Sequence, residues 1–79
     1  MLERVLSVVA AGDRRVPSRI CALLAQRMVT LSSIQMFHDP ATSRWNIELV
    51  ACIDDQPALE LLVTRLDRLV YVLEVVEIG

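Results

Sequence analysis

The single histidine, His38, stands beside Asp39, and a His–Asp pair can shuttle a proton for a nucleophile. Such chemistry also needs the nucleophile and donors for a developing oxyanion, and the surrounding sequence supplies neither. His38 is therefore read as an exposed histidine where a strand meets a loop. Asp54 and Asp55 are adjacent carboxylates, but a hard cation needs more oxygen ligands than two, and no oxygen-rich run accompanies them. An aspartate just ahead of a helical pattern is better suited to cap it. Gly12 and Gly79 are the only glycines, so no glycine-rich loop is present to cradle phosphate. Phe37 and Trp45 flank a polar turn and could stack on bases, but a net charge of −2 gives nucleic acid no electrostatic support. Catalysis within this chain is not expected, nor is a metal or cofactor of its own.

One segment keeps a binding role open. Every basic residue is an arginine, and Arg14, Arg15 and Arg19 form the one local basic cluster. They surround Gly12-Asp13-Arg14-Arg15-Val16-Pro17, which leads into a helical pattern. Backbone amides at a helix start favour an anion, and arginines would strengthen that site. Pro17 removes one donor, however, and Asp13 would compete as an internal cap. A carboxylate site and a solvated basic turn both fit these residues.

The elements that must position these groups follow from hydrophobic period. Residues 2–10 alternate and are rich in β-branched side chains, with Leu6, Val8 and Ala10 on one face. Residues 16–28 switch to helical spacing, with Val16, Ile20, Leu23, Leu24 and Met28 in one stripe. Residues 30–38 return to strand composition, with imperfect alternation at Ser32-Ser33, and 39–43 form a polar turn. Residues 44–52 alternate cleanly, turning Trp45, Ile47, Leu49 and Ala51 one way. A second helix begins near Pro57 and carries Ala58, Leu59, Leu62, Val63, Leu66 and Leu69 on one stripe. Residues 70–78 are expected to close as a final strand. The order βαββαβ predicts one α+β, ferredoxin-like domain over residues 1–79, a four-stranded antiparallel sheet with both helices on one face.

Composition narrows the setting. The chain has 79 residues, 54% of them hydrophobic, and a mean hydropathy of +0.48. That excludes disorder, and it exceeds what one small solvent-facing domain ordinarily carries. No stretch reaches the roughly 18 uncharged apolar residues of a spanning helix. Charges at Glu3, Arg4, Asp13, Arg14 and Arg15 break any leader pattern. Cys21 and Cys52 are too few for a disulfide framework and are expected to be reduced core thiols. A cytoplasmic protein completed by a partner chain is expected. The sheet face away from the helices supports this, because its assigned positions include Val5, Val9, Val50, Val70, Val72 and Val76. Such an apolar patch usually marks an interaction surface.

Several segments resemble the regulatory (small) subunit of acetolactate synthase, also called acetohydroxyacid synthase, and its ACT domain. They are Val16-Pro17-Ser18-Arg19-Ile20, Thr30-Leu31-Ser32-Ser33-Ile34-Gln35-Met36, Asn46-Ile47-Glu48-Leu49 and Arg65-Leu66-Asp67-Arg68-Leu69-Val70-Tyr71-Val72. In order they cover roughly positions 4 to 76. The single-domain length resembles the short forms, including the subunit of the valine-insensitive isozyme. The resemblance implies a non-catalytic subunit that activates a separate catalytic chain carrying thiamine diphosphate, FAD and Mg²⁺ in branched-chain amino-acid biosynthesis. It also implies a homodimer joined through a sheet edge, with a small amino acid such as valine between the first turn of one copy and the second strand of the other. The alternative is a free-standing ACT-type amino-acid sensor acting as a homodimer.

On that resemblance the effector site would comprise Gly12, Asp13, Arg14, Arg15, Val16 and Thr30, and the partner interface would add Ile34 and Met36 to the six valines. Feedback-sensitive members carry an Asn-x-x-Gly turn. Here Gly12 stands at the asparagine position, Arg15 at the glycine position, and Thr30 replaces a second asparagine after the helix. A side chain at Arg15 would crowd a ligand that needs close backbone approach. Weak or absent valine binding is the expectation.

Overall fold

The computed structural model describes residues 2–27 and 29–79. They form β1 (Leu2–Ala11), α1 (Val16–Gln26), β2 (Thr30–Asp39), β3 (Arg44–Ile53), α2 (Gln56–Asp67) and β4 (Val72–Glu77). The strands make one antiparallel sheet in the order β2-β3-β1-β4. The expected βαββαβ ferredoxin-like architecture is thus the one observed.

Register follows the hydrophobic alternation. Leu6, Val8 and Ala10 lie opposite Leu49, Ile47 and Trp45. All three β1 residues are fully buried, and they join one cluster with Val16, Ile20 and Leu24 of α1 and Leu59, Leu62 and Leu66 of α2. Both helices therefore cover the same sheet face. Burying an aliphatic side chain of this kind contributes about 1.5–3 kcal/mol. A one-residue slip would turn the whole set to the other face, which is why the register is well determined.

The helix ends are set by local chemistry. Asp55 precedes α2 in extended conformation and accepts the Ala58 N–H at 2.9 Å. No side chain caps α1; the Asp13 carbonyl accepts the Val16 N–H at 3.2 Å instead. α1 ends at Gln26, where Arg27 donates its N–H to the Leu23 carbonyl and Val29 donates to Leu24, both at 3.1 Å. The last position of the expected α1 stripe, Met28, lies outside the described residues.

Two irregularities shape the strands. In β2 the pairing shifts between Leu31 and Ser33, so Ser32 is an extra residue at the point where alternation was imperfect. The start of β4 differs from expectation. Val70 is not in the strand; it sits in the α2–β4 turn, 71% exposed. Tyr71 follows with φ 81°, a left-handed conformation uncommon for a non-glycine residue. Val72 then pairs with Ala10, while Val9 pairs with Glu74, leaving Leu73 as a bulge. Val72 consequently faces the helices and packs against the core, rather than pointing outward.

The thiols also differ from expectation. Cys21 is exposed on α1, and Cys52 is half-buried opposite Thr30 and Glu3; both are free.

Candidate effector site

The β1–α1 turn folds on itself. Arg15 donates from Nε to Asp13 Oδ1 and from Nη2 to Asp13 Oδ2, both at 3.0 Å. The Arg15 backbone N–H adds a third bond to Asp13 Oδ1 at 2.8 Å. These hydrogen bonds from Arg15 hold the Asp13 carboxyl at about 2, well below its ordinary 3.8, and the same carboxylate pushes the guanidinium further up. Arg15 also donates to the Tyr71 hydroxyl, and its guanidinium carbon lies 5.2 Å from the Tyr71 ring centroid. The backbone follows suit, since the Ala11 N–H donates to the Tyr71 carbonyl at 2.7 Å.

Two further contacts pin the turn from the β2–β3 side. Trp45 points toward the helices from β3 and donates its indole N–H to the Asp13 carbonyl at 3.0 Å. Gly12 lies against Ser43, and a Cβ built at Gly12 would come within 2.3 Å of the Ser43 carbonyl oxygen. Glycine is needed here for contact with a neighbouring loop.

Of the residues expected at the effector site, Gly12, Asp13, Arg14 and Arg15 lie together in this turn. Val16 is adjacent but buried in the core, so its side chain does not face a ligand. Thr30 is elsewhere: it pairs with Cys52 near the end of β3, whereas Ala11 pairs with Arg44 at its start. Within one chain the turn and Thr30 occupy opposite ends of the sheet. The helix start offers few free donors, because Val16 is bonded to Asp13 and Pro17 has no N–H.

His38 is exposed near the end of β2, just before the turn. It lies within β2 opposite Trp45, with ring centroids 5.1 Å apart in an edge-on arrangement. Asp39 is committed to the following turn through the Ala41 N–H at 2.9 Å. Among the described residues no three His, Cys, Asp or Glu side chains gather to hold a metal ion, and no helix is long and apolar enough to cross a membrane.

The interface positions divide into three groups. Val5 lies opposite Val50 on the outer face, Val9 opposite Asn46 and Glu74, and Val76 opposite Ser7. Exposed Phe37 pairs with Asn46 on that same face. Ile34 and Met36 face the helix side opposite Leu49 and Ile47, and are half-buried because β2 is an edge strand. Val70 and Val72 leave the set, for the reasons given with β4. Sequence reasoning missed that Tyr71 and Trp45 hold the β1–α1 turn. Trp45 carried a signal, since an inward indole N–H needs an acceptor; Tyr71 carried none.

The chain overlays the ACT domain of GTP pyrophosphokinase from Chlorobium tepidum with a TM-score of 0.88 at 12% identity, covering 98% of this chain and 97% of that one. The fold is that of an ACT domain. The same ACT fold overlays the acetolactate synthase small subunit of Thermotoga maritima with a TM-score of 0.87 at 22% identity. All of this chain is covered, but only 48% of that subunit, so the chain spans about half its length. A homoserine dehydrogenase from Thiobacillus denitrificans contains a similar unit, with a TM-score of 0.74 at 16% identity, covering 96% of this chain and 16% of that enzyme. No protein-family model matches the sequence, and no curated protein matches it.

Proposed function

We propose that this ACT-type chain is a non-catalytic regulatory subunit of acetolactate synthase, binding and activating a separate catalytic chain in branched-chain amino-acid biosynthesis. The observation that carries this reading is the whole-chain likeness to the T. maritima small subunit, joined to sequence segments that resemble that family throughout. The chain acts as a single unit over residues 1–79, in the cytoplasm. Thiamine diphosphate, FAD and Mg²⁺ belong to the catalytic partner, and this chain supplies contacts only.

The sheet edge supports a homodimer. β2 is ten residues long and, among the described residues, its outer edge is unpaired; such an edge is a template for strand addition. A two-fold axis that paired β2 antiparallel with its copy would set Thr30 of one chain beside Asp39 of the other. That is the end of the sheet at which Gly12 meets Ser43, so the turn of one copy and Thr30 of the next would form one site. Ile34 and Met36 would be covered by the same contact. The outer-face residues Val5, Val9, Val50 and Val76 are left for the catalytic chain.

The turn argues for weak valine feedback. The Asp13 carboxylate and Arg15 guanidinium already satisfy each other, so neither is free to pair with the charges of a ligand. The test is acetolactate formation by the catalytic subunit of the same organism, with and without this chain. Stimulation that persists in millimolar valine supports the reading, and an unchanged rate contradicts it.

A further inference from the structure

A groove of about 200 Å³ opens at the end of the sheet away from the β1–α1 turn, between the close of α1, the start of β2, the end of β3 and α2. Its floor is apolar, with Val29 and Leu62 packed on the core. Leu61 stands at its side, 50% exposed, a large aliphatic side chain left in water beside a concavity. Arg27 and Arg65 line the same groove. Among the described residues neither is within ion-pair distance of a carboxylate, which holds equally for Arg14, Arg19, Arg44 and Arg68; what sets Arg27 and Arg65 apart is that both line one apolar-floored groove. The nearby start of α2 is not the attraction, because Asp55 already occupies the Ala58 N–H and Pro57 has none.

We propose that this groove binds a small aliphatic monocarboxylate, with its carboxylate between Arg27 and Arg65 and its hydrocarbon chain on Leu61 and Leu62. Guanidinium groups suit a carboxylate because their N–H fork matches its two oxygens. Asp54 also lines the groove, so a second negative charge on the ligand would be repelled, which disfavours phosphates and dicarboxylates. A groove of about 200 Å³ suits a small ligand, and a short-chain acid is the simplest probe of it. The site shares Thr30 with the proposed effector site but uses nothing from residues 12–16, and it does not depend on the acetolactate synthase reading.

The experiment is an amide NMR titration of the whole chain with sodium hexanoate, and in parallel with 1-hexanol and inorganic phosphate. Hexanoate is expected to give saturable shifts confined to the groove, with a dissociation constant in about the millimolar range set by so few ligand atoms. R27Q and R65Q are each expected to weaken it about tenfold, and R68Q, at an exposed arginine outside the groove, to leave it unchanged. Both groove arginines are exposed, and unchanged amide shifts elsewhere verify that the variants fold. Phosphate binding as well as hexanoate would overturn the proposal in favour of a bare anion site. Equal binding of 1-hexanol would reduce the groove to an apolar cleft and overturn it too, as would the absence of saturable shifts.

Discussion

Arg15 clamps Asp13 two residues before it, Nε on Oδ1 and Nη2 on Oδ2 at 3.0 Å each, while its own backbone N–H closes the turn on the same carboxylate. The pair ties the β1–α1 turn to the α2–β4 turn as well, because the same guanidinium reaches Tyr71. The connection spans both ends of the chain.

The clamp has a pH signature. With Asp13 held at about 2 against an ordinary 3.8, the folded chain binds this proton less readily than the unfolded one. The stabilisation is therefore complete above about pH 5 and is lost as pH falls through 4 toward 2. Carboxyl NMR titration is expected to give Asp13 a midpoint near the lower value, and R15Q is expected to move it back toward the ordinary range. An Asp13 midpoint unchanged by R15Q would contradict the geometry.

Gly12→Ala tests the contact between loops. The new Cβ would meet the Ser43 carbonyl oxygen and Oγ at 2.3 and 2.6 Å, so one turn must move. Urea denaturation is expected to show a loss of about 1–3 kcal/mol, the usual range for overpacking.

Leu66→Ala tests the core beneath α2. Leu66 is fully buried in the cluster shared by both helices and the sheet, so truncation leaves a cavity. The expected loss is about 2–5 kcal/mol, with an unchanged dependence on denaturant.

Met36→Arg tests the edge. Met36 is only half-buried on β2, so the protomer should tolerate the change while a β2–β2 pairing should not. Sedimentation analysis is expected to show a dimer for the parent chain and a dissociation constant at least tenfold higher for the variant, about 1.4 kcal/mol. A dimer of unaltered affinity would exclude this edge.

Most of the architecture was legible because period and burial agree. Residues 44–52 alternate without interruption, and β3 delivers Ile47, Leu49 and Ala51 to the core. The Ser32-Ser33 lapse marked a real bulge. The start of β4 was illegible because Leu69-Val70-Tyr71-Val72-Leu73 is apolar throughout, and period cannot assign faces in such a run. Its register is fixed by the left-handed Tyr71 and the bulge at Leu73, and both depend on pairing with β1. At the site, the turn residues were visible as a cluster, but Arg15 meets Tyr71 across 56 residues of sequence. Local spacing carries no record of such a contact. The outer valines were half legible, since Val5 and Val50 face each other as expected while Val72 turns inward.

Valine affinity follows from the clamp. Calorimetric titration of the isolated chain is expected to show no micromolar binding, because a ligand would have to displace Arg15 from Asp13. A micromolar dissociation constant would mean that the turn opens readily.

The most direct measurement is acetolactate production by the purified catalytic subunit of the source organism, assayed alone and with a molar excess of this chain. The proposed function predicts a higher rate and a comigrating complex, both retained in millimolar valine. A catalytic subunit whose rate and migration are the same with and without the chain would contradict it.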